Sequence, residues 1–223
     1  MGETILRDGE LILFIGDSIT DCGRRDCAAP LGNGYVKFFS DFLQIREPQK
    51  EISILNQGIG GNTVQDLRER WEQDVLEQRF DWISVKIGIN DVHRYLCDPA
   101  NGVSPEQFKE SYQVILEQTR QVHPKARILL IDPFYVAKSP ANDPFMKTVL
   151  ESLPAYIETV HRMSESFGAR LVPTHDIFQG LLRYKDPTLF CPEPVHPYPI
   201  GHLVIAEQVY RALSMVPEPG GRS

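Results

Sequence analysis

Leu11-Ile12-Leu13-Phe14-Ile15 places five apolar residues in a row, too few for a helix and rich in strand formers. That pattern predicts a buried strand, and Gly16 closes it with a residue that permits a tight turn. Tyr35–Leu43 carries apolar residues at helical spacing, and Ile52–Asn56 reads as a second strand closed by Gly58-Ile59-Gly60-Gly61. Thr63 with Asp66 three residues on resembles a capping box, opening a helix striped by Val64, Leu67, Trp71 and Val75. Ile83, Val85 and Ile87 alternate with Ser84 and Lys86 to give a third strand, stopped by Gly88.

Ser104-Pro105-Glu106-Gln107 supplies a cap, a proline in the first turn and a glutamine at the third helical position. The helix behind it is expected to turn Phe108, Tyr112, Ile115 and Val122 inward. Arg127–Ile131 is strand four. A helical stretch follows from about Asp143 to Phe167, interrupted by Pro154, and Arg170–Pro173 is strand five. The last helix runs from about Gly201 to Leu213, burying Leu203, Ala206, Tyr210 and Leu213. No repeat or linker divides the chain, so one domain over residues 1–214 is expected, with a flexible tail at 215–223.

Strands alternating with helices predict an α/β fold with a parallel sheet covered on both faces. Right-handed crossovers narrow this to a three-layer α/β/α sandwich whose five-stranded sheet is doubly wound and flavodoxin-like.

Composition removes several classes of function. The 223 residues carry 23 basic and 30 acidic side chains, a net charge of −7, without a basic run, so nucleic acid is not an expected partner. No apolar run approaches membrane-spanning length. The first residues lack the basic and apolar regions of a signal peptide and the serine or threonine that myristoylation prefers. Cys22, Cys27, Cys97 and Cys191 show neither metal-binding spacing nor a disulfide framework, so a reduced cytoplasmic protein is expected.

Three strand ends carry chemistry: Gly16-Asp17-Ser18, Gly60-Gly61-Asn62 and Gly88-Ile89-Asn90-Asp91. In a parallel sheet all three open on one edge, the edge where such sheets place ligands. Ser18 offers a hydroxyl and a backbone N–H, Gly61 an unobstructed N–H, and Asn90 an amide donor. Donors aimed at one point suit a tetrahedral oxyanion, although each residue is also ordinary turn chemistry and Ser18 is also a helix cap. Cys191-Pro192-Glu193-Pro194-Val195-His196-Pro197 supplies the remaining piece. Pro197 biases His196 toward an extended conformation on a loop, where Glu193 can turn back to one ring nitrogen and leave the other for a serine proton. His93, His123, His161, His175 and His202 lack such a setting and read as structural.

These blocks, in this order and spacing, resemble the SGNH (GDSL-type) hydrolases over nearly the whole chain, from Leu11 to about Leu213. Within them, Gly16–Arg24 and Gly61–Val64 are most similar to intracellular acetyl xylan esterases. The resemblance implies Ser18 as nucleophile, His196 as general base and acid, and Glu193 as third triad member. It implies an oxyanion hole built from Ser18, Gly61 and Asn90, with Asp17 and Asp91 in support. It further implies two-step acyl transfer on a small ester or acetylated oligosaccharide, with no metal or organic cofactor, in a homo-oligomer. The family pattern has aspartate where Glu193 stands.

Other readings fit less well. Gly58–Thr63 lacks the third glycine of a dinucleotide fingerprint, and no Gly-x-Ser-x-Gly elbow occurs. A metal role for His196 with Glu193 and Cys191 lacks ligand spacing. A non-catalytic carbohydrate binder would not need a base beside a nucleophile. A short-chain or lysophospholipid esterase is the alternative enzyme. It needs an apolar groove, whereas a sugar deacetylase needs aromatic platforms; Trp82, Tyr95, Phe134, Tyr135, Tyr184 and Tyr198 read equally as such platforms near the strand ends and as core or interface aromatics. The loops at residues 21–34 and 134–146 are candidates for subunit contacts.

Overall fold

A computed structural model describes residues 2–138 and 143–214. Five strands, β1 (Leu11–Gly16), β2 (Ser53–Gly58), β3 (Trp82–Lys86), β4 (Arg127–Ile131) and β5 (Arg170–Val172), form one sheet in the order β2-β1-β3-β4-β5. Every pairing is parallel, with Ile12 of β1 beside Ile54 of β2 and Trp82 of β3. The three-layer, doubly wound sandwich expected from the strand–helix alternation is the observed fold.

Among the described residues eight α-helices connect or flank the strands: α1 (Ser18–Asp21), α2 (Tyr35–Arg46), α3 (Val64–Glu69), α4 (Ile89–Cys97), α5 (Pro105–Val122), α6 (Pro144–Phe167), α7 (Thr174–Leu182) and α8 (Pro199–Leu213). α2 packs on α8, while α5 packs on α3 and α6. These contacts make the two layers that cover the sheet. Both faces being covered explains why β1 and β3 are buried almost throughout. Ser84 and Lys86 therefore lie fully buried, and the β3 alternation separates two buried faces rather than core from water.

Local signals act where they stand. Thr63 and Asp66 form a reciprocal capping box at α3, as do Ser104 and Gln107 at α5. The stripe Val64, Leu67, Trp71 and Val75 is buried although a π-helical turn at Glu72–Leu76 follows α3. Phe14 of β1 meets Tyr35 and Phe39 of α2 edge-on, at 5.9 and 5.6 Å between centroids. Burying each such ring contributes roughly 1.5–3 kcal/mol.

Several expectations are corrected. Pro154 does not interrupt α6, which runs unbroken for 24 residues because Leu153 and Tyr156 are both buried in tertiary contacts. Val122 is exposed, being the last residue of α5, where the neighbouring elements no longer cover it. α8 starts at Pro199, and its inward stripe runs through His202, Ile205, Ala206, Val209, Tyr210 and Leu213, leaving Leu203 on the outer side. The tail expected at 215–223 lies outside the described residues, as do residues 139–142 of the loop at 134–146.

Candidate active site

The sheet order places β1 between β2 and β3, so the chain reverses direction across the sheet at β1/β3, and ligands bind α/β sheets at that point. The turn after β1 is built tightly. A Cβ on Gly16 would collide with the Lys86 carbonyl oxygen and the Thr20 hydroxyl, so only glycine lets β1 end there. Asp17 caps α1, its Oδ1 accepting from the Ile19 N–H at 3.0 Å. Its Oδ2 lies 3.4 Å from Lys86 Nζ, and both side chains are fully buried. Asn56 Nδ2 donates to the carbonyls of Thr20 (2.7 Å) and Leu31 (2.8 Å), tying the turn to β2.

Ser18, raised on this turn, meets His196 across 178 residues of sequence, Oγ to Nε2 at 2.9 Å. The other ring nitrogen, Nδ1, lies 2.5 Å from Glu193 Oε1. The carboxylate also accepts two backbone N–H groups, from His196 at Oε1 (2.8 Å) and from Val195 at Oε2 (2.9 Å). Partial burial pushes the Glu193 carboxyl upward, but those backbone donors and the His196 ring outweigh it and hold it below its usual range. Glu193 thus stays ionised and turns Nδ1 toward itself as a donor, leaving Nε2 to accept the Ser18 proton.

Gly61 adopts φ +79°, and the space where its Cβ would stand is open. A Cβ on neighbouring Gly60 would lie 3.8 Å from Ser18 Cβ, which puts this turn beside the nucleophile. Among the described residues the N–H groups of Ser18 and Gly61 have no acceptor. Asn90, in the first turn of α4, donates from Nδ2 to the Asn62 carbonyl at 3.0 Å, and Arg94 Nη2 donates to the Gly61 carbonyl at 2.8 Å. Asp91 Oδ1 accepts from Val64 N at 2.9 Å, joining the N-termini of α3 and α4. Burial raises the Asp91 carboxyl to about 7, with Asp17 and Asp66 adding to the rise and the N–H donors opposing it. The structure therefore joins Ser18, His196 and Glu193 directly. Asn90 and Gly61 share one wall beside them, and Asp17 and Asp91 lie buried beneath.

The proposed aromatic platforms separate. Trp82 begins β3, at the end of the sheet opposite Ser18, where it is buried and donates to Glu10. Phe134 is fully buried against Phe178 and Lys86. Position along the chain did not distinguish the two ends of a strand. Tyr198, two residues past His196, is half-exposed and Tyr184 is exposed, whereas Tyr135 is buried. A residue read as structural moves the other way. His93 lies one turn beyond Asn90 on α4, and the charges of both Glu193 and His196 act on its ring. An α4 starting at Ile89 would have signalled this, but Gly88–Asp91 reads as a turn.

The remaining groups are structural in their contacts. His202 accepts from Tyr35 N at 3.2 Å and approaches Cys22 Sγ at 3.4 Å. Burial lowers its imidazole to about 4 and raises the Cys22 thiol to about 12, so neither is poised for chemistry near neutral pH. A cleft of about 390 Å³ opens on the side of Glu193 between Val136–Lys138, Met146 and Asp186–Thr188. Among the described residues no group of three or more His, Cys, Asp or Glu is placed to hold a metal ion, and no helix is long and apolar enough to cross a membrane.

Comparison with known proteins gives a consistent result. An acetylxylan esterase of Geobacillus stearothermophilus is 35% identical over 213 residues, which is 92% of this chain and 94% of the relative. The crystal structure of a catalytic mutant of Axe2, an acetylxylan esterase from that organism, matches with a TM-score of 0.83 at 35% identity, covering 95% of this chain and 97% of that one. That mutant replaces an aspartate by alanine; other catalytic mutants of Axe2 replace a histidine three positions later and a serine. LAE5, an α/β hydrolase enzyme from the metagenome of Lake Arreo, Spain, matches with a TM-score of 0.82 at 29% identity, covering 93% and 96%. The profile of the GDSL-like Lipase/Acylhydrolase family matches residues 14–204, and the chain belongs to that family.

Proposed function

We propose that this hydrolase is a serine esterase that removes acetyl groups from xylo-oligosaccharides through an acetyl-enzyme. The observation that carries the reading is the relay from Ser18 Oγ through the His196 ring to Glu193, at 2.9 and 2.5 Å. Ser18 Oγ attacks the ester carbonyl as its proton passes to His196 Nε2. The N–H groups of Ser18 and Gly61, with the second N–H of the Asn90 amide, receive the oxyanion. His196 returns the proton to the departing sugar oxygen, leaving acetyl on Ser18. Water, deprotonated by His196, then attacks that ester, acetate leaves, and Ser18 recovers its proton. The acetylxylan esterase relatives support the choice of acyl group and sugar.

The test is acetate release from acetylated xylo-oligosaccharide beside hydrolysis of p-nitrophenyl acetate and octanoate. Sugar deacetylation with acetate preferred is expected, and octanoate preference would move the enzyme to lipid-type esters. Ser18→Ala is expected to lower turnover by about 10⁴-fold or more with an unchanged circular dichroism spectrum. Retained turnover would remove Ser18 as nucleophile.

We further infer a cytoplasmic homo-oligomer. All four cysteines are free, which suits a reducing compartment. Ile200 and Leu203 of α8 stand 40% exposed, apolar surface of a kind that a second copy would cover. Light scattering of the purified protein at one mass per chain would contradict the assembly.

A further inference from the structure

Asn90 and His93 lie three residues apart on α4, so they leave neighbouring sides of the same helix turn. Asn90 turns to the Gly61–Asn62 wall, and His93 turns to the segment after β4. Its ring meets Tyr135 edge-on at 5.8 Å between centroids and Phe145 at 5.6 Å with a 52° tilt. Tyr135 is buried, whereas Phe145, in the first turn of α6, is 45% exposed. Partial burial holds the imidazole below its usual range, with Glu193 raising it and His196 lowering it, so the ring is neutral near pH 7.

One atom of that ring is unaccounted for. His93 Nε2 is enclosed and has no hydrogen-bond partner among the described residues. Folded proteins rarely leave such an atom unpaired. Ser84, Asp91 and Tyr112 also hold one, but all three residues are fully buried, and of the four only His93 is partly exposed, with the charges of Glu193 and His196 acting on its ring. The outer ring against it is Phe145, whose exposure leaves it free to change rotamer on a fast timescale.

We propose that His93 and Phe145 form the subsite for the alcohol half of the ester, with Phe145 against the sugar ring and His93 Nε2 hydrogen-bonded to a hydroxyl near the acetylated oxygen. This rests on the reading above that the substrate is an acetylated carbohydrate. A neutral imidazole nitrogen is a donor in one tautomer and an acceptor in the other, and a hydroxyl serves as either, so the match holds for both. The apolar C–H face of a pyranose suits an aromatic ring, and Phe145 presents a half-exposed one against His93. An ester whose alcohol lacks hydroxyls leaves Nε2 unpaired in the complex, so the site discriminates against it. His93 is thereby a specificity residue that contacts the leaving group and takes no part in proton transfer.

The experiment measures kcat/KM for glycerol monoacetate relative to ethyl acetate, and for acetylated xylo-oligosaccharide relative to ethyl acetate, in the full chain. His93→Phe keeps a ring of similar shape without the nitrogen and is expected to lower both ratios about tenfold, the size of one lost neutral hydrogen bond. His93→Gln, which restores a polar terminus, is expected to recover part of the loss. Phe145→Ala alters a half-exposed position and is expected to lower the sugar ratio severalfold while leaving the circular dichroism spectrum unchanged. Ratios within twofold of wild type in both His93→Phe and Phe145→Ala would overturn the proposal, as would an equal fall for all three esters. If wild type releases no acetate from the oligosaccharide, the substrate reading falls. The glycerol ratio in His93→Phe still judges the subsite.

Discussion

Two sides of the catalytic edge are held in opposite ways. The nucleophile turn and the Gly61–Asn90 wall stand on buried polar groups: the Asp17–Lys86 ion pair, and the Asp91 carboxyl on the N-terminus of α3. The His196 loop stands on its own local hydrogen bonds, and the side chains of Glu193 and His196 remain 48% and 58% exposed. The contrast follows from what each side does. Oxyanion donors work by being fixed before charge develops, which buried polar anchors ensure. The base must exchange protons with substrate and water, so it needs access, and prolines and backbone N–H groups supply its order without burial. The donor wall is therefore sensitive to the core, and the base loop to its own few contacts.

The largest break in that contrast is Lys86→Met. It leaves Asp17 buried and uncompensated, and removing one partner of a buried pair typically costs about 3–5 kcal/mol. Thermal unfolding should show the loss, whereas a change at Glu193 should barely move the midpoint. An unchanged midpoint in Lys86→Met would show that the ion pair does not anchor the turn.

Next in size is Asn90→Ala, expected to lower kcat by about 10²–10³ with little change in KM, as loss of one oxyanion donor does. The same substitution frees the Asn62 carbonyl, so a change confined to KM would assign Asn90 to shaping that loop instead. Glu193→Gln comes third. One acceptor oxygen becomes an NH₂ donor, so the single oxygen left cannot accept from both Val195 N–H and the His196 ring, which the two carboxylate oxygens serve separately, and turnover is expected to fall about 10–100-fold. That is less than at fully buried triads, since water can orient a half-exposed ring. Glu193→Asp should stay within about tenfold of wild type. A gain in Glu193→Asp would show that the longer side chain reaches His196 under strain.

The two sides also differed in how readable they were. Ser18, Gly61, Asn90, Glu193 and His196 stood out because turn glycines and bracketing prolines mark strand ends, and strand ends of a parallel sheet converge. β1 and β4 were legible as short apolar runs, and α3 and α5 through their capping boxes. α4 and α7 were not. α4 buries only Ile89, Asp91 and Val92 and begins directly on Gly88, so its first turn carries the sequence marks of a loop. α7 follows Pro173 without a side-chain cap. Missing α4 hid His93, since only a helix brings residue 93 to the side of residue 90. The pairing of Lys86 with Asp17 was equally hidden: a lysine in a strand pattern reads as a solvent-facing position until both faces of the sheet are covered.

The smallest predicted effect sharpens the contrast through pH. The Asp91 carboxyl titrates at about 7 in the fold, well above an unfolded aspartate, because burial disfavours its charge. The folded state therefore binds the proton more tightly than the unfolded chain. The stability this supplies is fully present below the unfolded pKa, near 3.9, and is lost as pH rises through about 7. Asp91→Asn keeps an acceptor for Val64 N–H and cannot ionise, so it lacks that loss. Its melting temperature relative to wild type should rise by a few degrees between pH 5 and pH 8.5. Glu193 behaves in the opposite sense, its lowered carboxyl favouring the fold at higher pH, so Glu193→Gln should not show this rise. A wild type and Asp91→Asn that lose stability in parallel would mean that Asp91 is already ionised at pH 5, its charge compensated within the wall.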